Sequence, residues 1–92
     1  MMPSPPPSYV SHYLQVGSLI CPMVLVRPLE HGGFELEPFT SECARTVFLE
    51  GTLRLEAPTC PLAAEPHRAP LAALQQLLAE HSGWQLLLPS VQ

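Results

Sequence analysis

Four histidines (His12, His31, His67 and His81), three cysteines (Cys21, Cys43 and Cys60) and the near-neighbour carboxylates Glu35 and Glu37 are where acid–base, nucleophilic or metal chemistry would have to start in this 92-residue chain. None of the histidines has a partner at catalytic or ligand spacing. The cysteines are widely spaced and odd in number, which suits neither a disulfide framework nor the close pairs of a zinc site, so buried, reduced thiols are expected. Glu35 and Glu37 alternate with Phe34 and Leu36, which puts them on the solvated face of a strand rather than in a general acid/base pair. Cys43 and His67 are a nucleophile and a base that a fold could bring together, yet nothing in the local sequence activates the thiol. The chain is therefore expected to be no enzyme and to need no metal or cofactor.

Recognition chemistry is written at the N-terminus instead. The proline-dense stretch from Met1 ends in Pro6-Pro7-Ser8-Tyr9, a PPxY string of the kind read by WW domains. Consecutive prolines hold φ near about −65° and favour a polyproline II helix, so little chain entropy remains to be lost on docking. Pro6 and Pro7 would lie across an aromatic ridge while Tyr9 fills a pocket. The same stretch contains Pro3-x-x-Pro6, the minimal SH3 pattern, but no Arg or Lys stands near it to meet an acidic rim. A second motif, Leu74-Gln75-Gln76-Leu77-Leu78, matches LxxLL and resembles the coactivator helices that dock on nuclear receptors through Leu74, Leu77 and Leu78. The same spacing arises in any amphipathic helix that covers a sheet.

Composition narrows the partner classes. The net charge is −4, with four scattered arginines and no lysine, so there is no basic stripe to displace counterions from phosphates and nucleic acid is not expected as a partner. A chain without lysine offers no side-chain acceptor to a ubiquitin ligase, which favours an adaptor over a substrate. The 47% hydrophobic and 13% charged content argues for a folded body with apolar surface left to cover. The apolar run Leu19 to Val26 is too short to span a bilayer, contains Pro22 and lacks a basic leader, so no membrane span or signal peptide is expected and the location is read as intracellular, cytoplasmic or nuclear.

These residues have to be positioned by a small body. Residues 1–16 read as a disordered proline-rich tail and residues 17–92 as a domain. Ser18 to Arg27 reads as a strand apolar on both faces, with Pro22 demanding an edge or a bulge. His31-Gly32-Gly33 reads as the turn of a hairpin into Phe34-Glu35-Leu36-Glu37. From Thr46 to Glu56 alternation is clean: Val47, Leu49, Gly51, Leu53 and Leu55 face a core, and Gly51 leaves room for a bulge. After the proline-containing connection Ala57 to Pro66, a helix opens at Ala69-Pro70-Leu71 and closes at Ser82-Gly83, its Leu71, Leu74 and Leu78 laid over the sheet. Trp84 to Leu88 ends the chain as a short strand. The predicted fold is α+β: an antiparallel β-meander packed against one amphipathic helix, in the order β-β-β-α-β.

The resulting reading is a non-catalytic adaptor whose tail engages a WW-domain protein such as a HECT-type ubiquitin ligase. A PPxY ahead of a β-rich body resembles the late domains of viral matrix or accessory proteins, which use it in budding. Other readings are a structural subunit of a larger complex and an LxxLL-type transcriptional coregulator. A body of this size with few surface charges is also expected to pair a sheet edge, either Leu86 to Leu88 or the edge marked by Pro22, with a second copy or a partner, giving a homodimer or a complex.

Overall fold

The sheet is built around a strand that reads in the sequence as part of the tail. In the computed structural model, which describes residues 7–30, 32–39 and 46–89, β1 (Ser8–Val16) is paired along both edges. On one side it runs parallel to β5 (Thr46–Glu56). On the other it runs antiparallel to β2 (Leu19–Pro22) and β3 (Val24–Pro28), reached through the turn Gly17-Ser18. Beyond β3 lies β4 (Phe34–Pro38), and beyond β5 lies β7 (Gln85–Leu87). The two-residue β6 (His67–Arg68) runs beside the start of β2, and α1 (Leu71–Glu80) packs across β4, β2 and β1.

The expected tail therefore loses residues 8–16 to the sheet. Pro6 and the residues before it lie outside the described part, as do His31 and Cys43. Val10, Leu14 and Val16 are fully buried, and so in effect are the polar Ser11 and Gln15. No period of two survives such a pattern, and a strand buried on both faces with polar residues inside it looks like a linker in sequence. Both polar side chains are hydrogen-bonded. Ser11 Oγ donates to the Tyr13 carbonyl and accepts the Leu53 amide at 3.2 Å, while Gln15 Nε2 donates to the carbonyls of Gly17 and Ala63, both at 2.9 Å. Gln15 thereby ties the long connection after β5 back to the first hairpin, which offsets the cost of burying an amide.

Two breaks shape this sheet. The strand expected over Ser18 to Arg27 is cut at Met23, whose φ of 52° is left-handed and whose amide donates to the His12 carbonyl at 3.1 Å. Register with β1 is nevertheless continuous, Tyr9 opposite Val26 on one side of the break and Tyr13 opposite Pro22 on the other. Pro22 stands beyond the reach of β6, which pairs only with Leu19 and Ile20, so its missing N–H costs no ladder bond. The second break is Gly51, with φ of 100°, where the pairing shifts from Ser11 opposite Leu49 to Tyr13 opposite Thr52. This is the bulge that a glycine on the inner row allows.

The core joins Leu14, Val16, Cys21, Val24, Val26 and Leu36 from one part of the sheet to Leu53 and Leu55 of β5 and Leu74 of α1. The helix begins after Pro70, which holds φ −68° and ψ 156° and offers no side-chain cap. Its far end is closed by Trp84, whose indole N–H is shared between the Leu78 carbonyl at 2.9 Å and the His81 carbonyl at 3.1 Å. Orphan carbonyls at a helix C-terminus are thus satisfied by an aromatic side chain that also packs on the core. Gln75 Nε2 reaches the Leu36 carbonyl at 2.7 Å and ties α1 to β4. The fold is α+β and mostly sheet, but it is not a pure antiparallel meander: after β4 the chain passes to the far side of β1, and β1–β5 and β2–β6 are parallel.

Candidate interaction surfaces

The PPxY string straddles the start of the sheet. Pro7 precedes β1, Ser8 is opposite Thr46, and Tyr9 is opposite Val26 and Val47, half-buried and packed against the core. The LxxLL leucines lie inward: Leu74 is fully buried, and Leu77 and Leu78 are partly buried against the same core. They are the cover of the sheet, and docking them elsewhere would require the helix to leave it.

The candidate catalytic residues are dispersed. Glu35 and Glu37 flank Arg27 on the exposed face, at 2.8 and 2.7 Å, and are held as an ion-pair cluster rather than as an acid and a base. The rings of His12 and Phe48 lie nearly perpendicular, with centroids 5.4 Å apart, and His67 is exposed in β6. His81 Nδ1 lies 2.7 Å from Thr59 Oγ1 and the ring stands edge-on to Trp84. A hydroxyl beside an imidazole is the start of a nucleophile–base pair. Here the pair is exposed, and among the described residues no carboxylate hydrogen-bonds the imidazole to orient it, which leaves the arrangement without the third member such chemistry uses. Cys21 and Cys60 are free, buried thiols. Burial, and then the nearby Glu80 carboxylate, push the Cys60 thiol up, so it is protonated and unreactive near neutral pH. Among the described residues no group of His, Cys, Asp or Glu is arranged to hold a metal ion, and no helix is long and apolar enough to cross a membrane.

Two surfaces lie outside the motifs of the sequence. A groove of about 530 Å³ opens between the β3–β4 turn and the end of α1, lined by Leu29, Phe34, Leu36, Leu78, His81 and Trp84 among others. The N-terminal half of β5 carries Val47 and Phe48, 38% and 48% exposed, on a strand whose outer edge has no partner there among the described residues. The signal for the second was present: Phe48 is an apolar residue on the row that alternation assigns to solvent. Comparison of the chain with protein-family models, with curated proteins and with solved structures finds no match.

Proposed function

We propose that this chain is a non-catalytic protein–protein interaction module, and that Pro6-Pro7-Ser8-Tyr9 is a ligand for a WW-domain protein, such as a HECT-type ubiquitin ligase, when the first residues of β1 leave the sheet. The observation that supports this reading is the position of the motif. Its proline half precedes the strand, Ser8 is paired on one side only, and Tyr9 is half-buried, whereas the fully buried anchor of the strand, Val10, comes just after the motif. Docking therefore asks for release of Ser8 and of Tyr9, which is paired on both sides and packed against the core, but not of the fully buried Val10. The absence of lysine favours recruitment of a ligase over modification by it. Use of the motif as a viral late domain is a special case of the same chemistry.

The enclosure sets the expected affinities. A peptide of residues 1–12 should bind a PPxY-reading WW domain in the micromolar range, roughly −7 to −8 kcal/mol. If freeing the strand end costs about 3 kcal/mol, the whole chain should bind about 100-fold more weakly, because only the released fraction is competent. Titration of both against an isolated WW domain tests this. A Tyr9→Ala peptide that binds as well as its parent would dispose of the motif.

A further inference from the structure

We infer that a second copy of this chain pairs with the N-terminal half of β5, antiparallel about a twofold axis at Phe48. The inference stands apart from the WW-ligand reading. From Thr46 to Glu50 one edge of β5 is taken by β1, and among the described residues nothing pairs with the other. Further along, that same edge is closed: β7 holds Arg54, Leu55 and Glu56, and Pro89 stands against Gly51, where an added Cβ would lie 3.1 Å from the proline Cβ. The open stretch is thus Thr46-Val47-Phe48-Leu49-Glu50, and its middle residue is Phe48.

This stretch lacks the usual protection of an edge. Open strands are guarded by Lys, Pro or inward charges. The chain contains no lysine, and these five residues contain no proline and one charge, Glu50. Of the large apolar side chains exposed among the described residues, Val47, Phe48 and Leu88 (51% exposed) belong to β5 or directly follow β7, the strand beside it; Met23 is the exception.

An antiparallel edge is self-complementary, so the register follows from the sequence. With the axis at Phe48, each Phe48 faces its own copy, Val47 faces Leu49, and Thr46 faces Glu50. Every open position is used and the two carboxylates are kept apart. Moving the axis to Glu50 would set carboxylate against carboxylate and run the ladder into the Gly51 bulge. The ring that sits on the axis is contacted by His12, the two ring planes lying nearly perpendicular. A twofold interface of this kind joins two sheets into one and closes both edges at once. It differs from the edges that the sequence suggested, Leu86 to Leu88 and Pro22.

Sedimentation equilibrium of the whole chain, with amide exchange on the same samples, tests the assignment. A monomer–dimer equilibrium is expected. Phe48→Asp should raise its dissociation constant about 100-fold, since it removes the facing rings and opposes like charges. Met23→Asp, at another exposed apolar site away from this edge, should leave it unchanged. Amides from Thr46 to Glu50 should exchange more slowly as concentration rises, a readout that needs no variant and holds even if Phe48→Asp fails to fold. A chain monomeric at every concentration, a dimer indifferent to Phe48→Asp, or concentration-dependent protection elsewhere but not in β5 would each overturn it.

Discussion

The two halves of β5 obey one alternating pattern and meet different fates. Leu53 and Leu55 are fully buried, whereas Val47, on the same row of the same strand, is 38% exposed and Leu49 is only partly covered. The difference lies in what stands opposite. The C-terminal half lies in the core with Leu14, Val16, Leu74 and the apolar face of α1, while α1 packs on β4, β2 and β1 and, among the described residues, the start of β5 is left less covered. Alternation tells which side chains share a face. It does not tell whether a second layer reaches that face, because coverage is decided by helix length and by where the helix is tied. Here the ties are Gln75 to Leu36 and Trp84 to the last turn.

The contrast is broken most directly by truncation. Leu53→Ala should cost about 2–5 kcal/mol, the range for a buried leucine whose cavity cannot collapse, and Leu74→Ala should cost about the same from the helix side. Val47→Ala should change stability by no more than about 0.5 kcal/mol in the monomer. Denaturant midpoints measured well below the association range compare them. Equal losses at Leu53 and Val47 would mean that both halves are covered in solution. An unchanged midpoint for Leu74→Ala would detach α1 from the core and return the LxxLL leucines to the role of a docking helix.

Gly51 separates the two halves and offers a sharper test of intermediate size. Its φ of 100° is a conformation that side chains rarely adopt, and its Cβ direction points at Pro89 at 3.1 Å. Gly51→Ala should cost about 1–3 kcal/mol through backbone strain. The loss should be accompanied by faster amide exchange around the bulge, at Thr52 and Leu53, while the β1–β2 hairpin keeps its protection. A neutral substitution would show that the register shift does not depend on glycine.

Much of this architecture could be read from the chain before folding is considered. Thr46 to Glu56 is the observed strand, the helix differs by a residue or so at each end, and Gly51 carries the bulge that its place on the inner row suggested. In each case periodicity and one special residue speak together. β1 was hidden because Ser11 and Gln15 are buried, and beside their local bonds to Tyr13 and Gly17 each is tied to a partner far along the chain, Leu53 and Ala63, which no local pattern encodes. The parallel pairing of β1 with β5 was hidden for the same reason: it joins segments brought together only by the passage of the chain across the sheet. The candidate site was half legible. Pro6-Pro7-Ser8-Tyr9 announces itself as a string, but its run into a central strand depends on non-local pairs.

A smaller effect than at Leu53 or Gly51 belongs to the charged group at the same end of the sheet. Arg27 follows Val26, the residue opposite Tyr9, and Tyr9 is in turn opposite Val47, so the cluster of Arg27, Glu35 and Glu37 stands level with the less covered half of β5. Its three side chains are between about two-fifths and one-half exposed, with relative exposures of 45%, 48% and 39%. Attraction between such groups is screened by water and by salt, and the side chains lose rotamer freedom in meeting, so Arg27→Ala should cost no more than about 1 kcal/mol. Raising the salt concentration should shrink even that difference between parent and variant. The comparison is sharpened because Leu53→Ala, which removes only apolar contact, should lose at least as much in high salt as in low. A large, salt-insensitive loss at Arg27 would mean that its alkyl stem, rather than its charge, anchors this end of the sheet, and that the end is packed as the C-terminal half of β5 is.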